Sequence, residues 1–97
     1  MSTSGLTKYQ DECLEILAEE CGEVVVEKSK IFRFGAMVES HHHPGNTHIA
    51  CLEQELGDIL AMIDMVKDSG IGITAIGLEQ AKQRKLNKVT RWMNNKE

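Results

Sequence analysis

The chain has 97 residues and a formal charge of -4, from 15 acidic and 11 basic residues. That is enough for one small domain, read here as spanning 1–97, and a domain of this size is marginal without a partner to cover its apolar faces. The acidic balance argues against a nucleic-acid binder. The longest apolar runs are far too short to span a membrane.

The first periodic segment runs from about Leu6 to Phe34. On a helix of about 100° per residue, Leu6, Cys13, Ile16, Leu17, Val24, Ile31 and Phe34 fall on one arc. Gly35 suits a C-cap because glycine tolerates left-handed backbone. Gly22 sits inside the segment, where it costs roughly 1 kcal/mol relative to alanine. Ala36 to Thr47 breaks the pattern with His41, His42, His43, Pro44, Gly45 and Asn46, and reads as a loop. Asn46 or Thr47 is placed to N-cap a second helix from about His48 to Asp68. Its stripe is Ile49, Leu52, Leu56, Ile59, Ile63 and Val66, widened on one side by Met62 and Met65. Gly70 ends it, Ile71 and Gly72 turn the chain, and Thr74 caps a third helix over about Ala75 to Met93. That helix has sparse apolar positions (Leu78, Ala81, Leu86, Val89, Trp92, Met93), so burial on one narrow side is expected.

Cys13, Cys21 and Cys51 lack zinc-ligand spacing, and an odd count argues against a disulfide scaffold. Each lies in a helical pattern and reads as a small buried or half-buried residue. This usage, and an N-terminus without the apolar run of a signal peptide, lead us to expect a cytoplasmic chain. Met37, Met62, Met65 and Met93 read as core or interface filler. Trp92, Phe32 and Phe34 each pose a choice between packing and contact with a base.

The acids carry the most information. Glu20 falls near the middle of the first apolar arc, and Glu23 and Glu27 follow at i+3 and i+7. On the second helix Glu55 and Asp58, also at i and i+3, project on the side widened by Met62 and Met65. Desolvating unpaired carboxylates costs several kcal/mol in practice, and crowding them raises their pKa values. A divalent cation removes both problems. Mg²⁺ takes oxygen ligands and keeps positions for water or phosphate. Carboxylates one turn apart on one helix face can reach one ion or two neighbouring ions. The plain alternative is a set of salt bridges or a solvated helix edge.

The basic residues Lys82, Arg84, Lys85, Lys88, Arg91 and Lys96 cluster toward the C-terminus. They suit either a solvated helix or a surface for phosphate. The histidine loop is open to three readings: a solvated loop, a loop closing over a ligand, or a transition-metal site that includes His48 and Cys51 at i and i+3.

Glu19-Glu20-Cys21-Gly22-Glu23, followed by Glu55-Leu56-Gly57-Asp58, resembles the EExxE…ExxD signature of the MazG-like, all-α NTP pyrophosphatases. The resemblance covers roughly Leu14 to Arg91. It includes the apolar run after ExxD and the Lys-rich final helix, and Lys30-Ile31-Phe32-Arg33-Phe34-Gly35 looks like small phage or mobile-element members. The spacer between the motifs is somewhat longer than usual, and its histidines are not a general family feature.

The resemblance implies an all-α fold, with antiparallel helices completing a four-helix-bundle-like core in a homodimer or homotetramer. It implies Mg²⁺-dependent hydrolysis of nucleoside triphosphates, dNTPs above all, to monophosphate and pyrophosphate, with Mn²⁺ as a substitute ion. Glu20, Glu23, Glu55 and Asp58 become the metal ligands, and Glu19 a residue that holds a second metal or orients water. By charge and position alone, Lys30, Arg33, Lys85 and Lys88 are candidates for the triphosphate and Asn87 for sugar or base.

Two rival functions share parts of this pattern. A di-iron carboxylate bundle needs Glu-x-x-His on helices, and the only such pair, Glu39 and His42, falls in the loop. A non-catalytic helical interaction module accounts for the amphipathic helices but not for acids on apolar arcs.

Overall fold

The computed structural model describes residues 3–95, and Lys96 lies outside the described residues. It contains three helices, α1 (Lys8–Phe34), α2 (His48–Asp68) and α3 (Ala75–Trp92), and no strand among the described residues. The all-α class expected from the periodicity holds.

Each helix begins where a hydroxyl can accept an otherwise orphaned amide proton. The Thr7 side chain accepts from the amide of Gln10, whose side chain accepts in return from the Thr7 amide, forming a capping box. Helix α1 therefore starts at Lys8, two residues later than the apolar pattern suggested. Thr47 accepts from Ala50, and Thr74 from Gly77. Gly35 ends α1 at φ 102°, a backbone angle that side chains avoid.

The segment between α1 and α2 is tied at both ends. The His48 amide donates to the Val38 carbonyl and the Ile49 amide to that of Ala36. Glu39 and Thr47 form an antiparallel bridge, and the Ser40 amide donates to the Asn46 carbonyl. The loop is thus folded back over the first turn of α2, with Ser40 buried and His41, His42 and His43 exposed.

Helices α1 and α2 pack against each other as an antiparallel pair. Cys13, Met62 and Val66 form the core, with Leu14, Ile16, Leu17 and Ile71 packed around them. At the far end, the Gln10 side-chain amide donates to the Ser69 carbonyl and ties the start of α1 to the end of α2. Cys51 is buried as expected, but Cys21 is exposed, because it lies on the outer face of α1.

Helix α3 departs from the expectation of one buried side. It buries no residue and has no packing seam along α1 or α2. Its first turns only lean over Ile63 and Lys67 across an open cleft. The radius of gyration, 16.6 Å, exceeds the roughly 12.5 Å of a compact domain of this length.

Candidate metal centre

Glu20 projects from the middle of α1, and Glu55 and Asp58 from α2, toward the seam between the helices. One carboxylate oxygen from each lies within 4.8 Å of the others, and this is the sole cation-competent group of its kind among the described residues. Glu20 and Glu55 are half-buried and Asp58 is exposed, so the site opens to solvent on one side. Burial pushes the Glu55 carboxyl above its ordinary value. The charge of Asp58, a hydrogen bond with Glu20, and the charges of Glu20 and Glu23 push it further.

The geometry separates the acids that sequence grouped together. Glu20 and Glu23 lie about 60° apart around a helix. Glu20 meets α2, while Glu23 is exposed and stands outside the close group, although its charge reaches Glu55. Glu19 is exposed. The donor set is entirely carboxylate oxygen, the chemistry that a hard divalent ion prefers.

Of the basic candidates, Lys30 and Arg33 line a cavity of about 380 Å³ near the C-terminal end of α1, together with Phe34, Val38, Glu39, His41, His42 and His48. Lys30 is already engaged, with its Nζ 3.4 Å from Glu27 Oε1. The Arg33 guanidinium lies 5.0 Å from the Phe34 ring centre. Lys85, Asn87 and Lys88 are exposed along α3, and the structure does not bring them to the carboxylates. Asn87 and Lys88 line an open surface with Arg84, Arg91 and Trp92. Trp92 is 73% exposed, with Lys88 Nζ 5.2 Å from its ring.

Glu27 and His48, which lie outside the four-carboxylate set, are both buried, 4% and 3% exposed. Glu27 Oε2, His48 Nδ1 and Ser40 Oγ are buried without a hydrogen-bond partner among the described residues. The signal for Glu27 was present: it sits seven residues after Glu20 on the same arc, three before a lysine that can pair with it. His48 and Cys51 are both buried, yet neither belongs to the cation-competent group. The Glu39 carboxylate accepts from the Gly45 amide within the loop. Glu39 and His42 therefore do not form the helical pair that a di-iron site requires.

No helix among the described residues is long and apolar enough to cross a membrane. No family model matches the chain, and comparisons with curated proteins and with solved structures find no match.

Proposed function

We propose that the chain is one subunit of a Mg²⁺-dependent nucleoside triphosphate pyrophosphohydrolase, acting on dNTPs in nucleotide-pool house-cleaning. The observation that carries this reading is the convergence of Glu20, Glu55 and Asp58 from two helices to within 4.8 Å. The EExxE…ExxD pattern supplies the reaction class.

In this reading Glu20, Glu55 and Asp58 hold the ion, with Glu23 beside them. When bound, Mg²⁺ would supply positive charge against the triphosphate and a lowered pKa for the attacking water. Glu19 and Glu23 remain to orient that water or to hold a second ion. A bound cation would favour the ionised form of Glu55, whose carboxyl the crowding pushes up. Water attacks the phosphorus nearest the sugar, the bond to the bridging oxygen breaks, and pyrophosphate departs. Lys30 and Arg33 add positive charge toward one end of the seam. Lys85, Asn87 and Lys88 would reach the substrate of a neighbouring subunit, which fits the uncovered α3 and a homodimeric or homotetrameric assembly.

The test is to incubate the protein with each dNTP and Mg²⁺ and to measure pyrophosphate. Steady release from the native protein, and a loss of at least a hundredfold in Asp58→Asn and Glu20→Gln, are expected. Full activity in both variants would remove the site. A non-catalytic helical interaction module is the second reading, and the exposed α3 favours it; absence of pyrophosphate from every nucleotide, with Mg²⁺ or Mn²⁺, would leave it standing.

A further inference from the structure

Helix α3 carries a surface that neither the core nor the carboxylate group uses. It holds five basic side chains against one acid, in a chain whose formal charge is -4. That acid, Glu79, is engaged by Lys82, whose Nζ lies 3.7 Å from Glu79 Oε2. Arg84, Lys88 and Arg91 stand at i, i+4 and i+7, all exposed, and none pairs with an acid among the described residues. Residues at these spacings share one helix face. With Asn87 and Trp92 the three cations line one shallow surface. The Trp92 ring is largely exposed, with Lys88 Nζ 5.2 Å from its centre.

The surface faces away from the apolar side of the helix. At about 100° per residue, Arg84 and Arg91 stand roughly 120–160° around α3 from Leu78, Leu86 and Val89. A second subunit covering the apolar side would leave the basic side open. The row from Arg84 to Arg91 is about 10 Å long at 1.5 Å per residue, close to the length of three stacked nucleotides at about 3.4 Å each. A row of cations tracks a phosphate backbone, and an exposed indole at its end offers a face on which an unpaired base can stack. An acidic protein surface would use the cations but not the ring, and a duplex would keep its bases from it. The acidity of the whole chain belongs to α1 and α2. Exposed charges farther apart than about 8 Å are largely screened at physiological ionic strength, so the local surplus governs what meets α3.

We infer that the Arg84–Lys88–Arg91 side of α3 binds single-stranded nucleic acid, with backbone phosphates along the three cations and a base stacked on Trp92. The inference stands apart from the pyrophosphohydrolase reading, which gives Arg84, Arg91 and Trp92 no role.

Trp92 is the single tryptophan of the chain, so its fluorescence reports on this surface alone. The test titrates the full chain, with a chelator and in low salt, with thymidylate and uridylate oligomers. It follows both tryptophan quenching and the anisotropy of end-labelled oligomer. Saturable quenching by at least one of the two is expected. The logarithm of the affinity should fall against that of the salt concentration with a slope of about -2, the value for three phosphate contacts on a single strand. Inorganic polyphosphate, which has charge and no rings, should leave the fluorescence unchanged, and a duplex of equal length should bind at least tenfold more weakly. The double variant Arg84→Gln/Arg91→Gln should bring the slope to about -0.7. Trp92→Leu, read by anisotropy, should weaken binding about tenfold with the slope unchanged. Both changes lie on an exposed face and leave the core intact. Poly-glutamate bound as tightly as the oligomers would make α3 a docking surface for acidic protein and overturn the inference. Duplex bound as tightly as single strand, binding without quenching, or no binding at about 50 mM salt would overturn it as well.

Discussion

Glu55 is where the chemistry of a single side chain becomes measurable in the whole protein. Its carboxyl is held above the ordinary value of 4.5, chiefly by burial and then by Asp58 and Glu20. A group whose folded-state value is raised contributes stability that is complete below its unfolded value and is lost as pH rises through its folded value. The metal-free protein should therefore melt at progressively lower temperature as pH rises from about 4.5 through the titration of Glu55. Glu55→Gln should flatten that slope, and millimolar Mg²⁺ should raise the melting temperature of the native protein near neutral pH but not that of the variant. A scanning-calorimetry series in pH, with and without Mg²⁺, checks both. An unchanged slope in Glu55→Gln would mean that the crowding is carried elsewhere. Lys30 makes the second argument at this scale. It is the ion-pair partner of a buried glutamate, so Lys30→Met should destabilise the fold by about 3 kcal/mol in urea unfolding, by leaving Glu27 buried and uncompensated. Removing both charges in Glu27→Leu/Lys30→Met should restore most of that loss, whereas Lys85→Met on α3 should cost almost nothing.

At the level of the helices, the starts and stops were legible because they depend on single residues. Thr7, Thr47, Thr74 and Gly35 act through local hydrogen bonds or backbone angle, and three of these four were readable in advance. Thr47→Ala should lower stability by about 1 kcal/mol, read as a shift in the urea midpoint with unchanged slope. The choice of face was less legible. Periodicity put Glu20, Glu23 and Glu27 on or near one arc, but the packing of α2 decides that Glu20 joins Glu55 and Asp58, that Glu23 stays in solvent and that Glu27 is sealed against Lys30. A helical wheel holds the angles of one helix and contains no information on where its neighbour crosses. The Phe34–His48 cavity was less legible still. It exists because the loop folds back through the His48 and Ile49 amides to the Val38 and Ala36 carbonyls, and no spacing rule encodes that return.

Across the molecule, α1 and α2 leave apolar surface uncovered. Leu56, Leu60 and Met65 on α2 are exposed, as are Leu78 and Leu86 on α3 and Met93 just beyond its end. The three positions Leu78, Leu86 and Val89 fall on one side of α3 by their spacing. A domain of this length gains little from so small a core, and the structure extends over 45 × 35 × 20 Å with its last helix unsupported. Association that lays α3 of one subunit over α1 and α2 of another would bury both faces and complete a bundle of the usual kind. The purified chain should therefore sediment as a dimer or tetramer, and its melting temperature should rise with protein concentration. Leu86→Glu, which places a charge in the middle of that face without touching the carboxylates, should shift sedimentation toward the monomer. It should also lower the melting temperature and reduce pyrophosphate release if Lys85, Asn87 and Lys88 serve a neighbouring subunit. A native chain that stays monomeric at hundreds of micromolar, with a melting temperature independent of concentration, would show that α3 needs no cover. The three basic and amide side chains on α3 would then lose their route to the substrate.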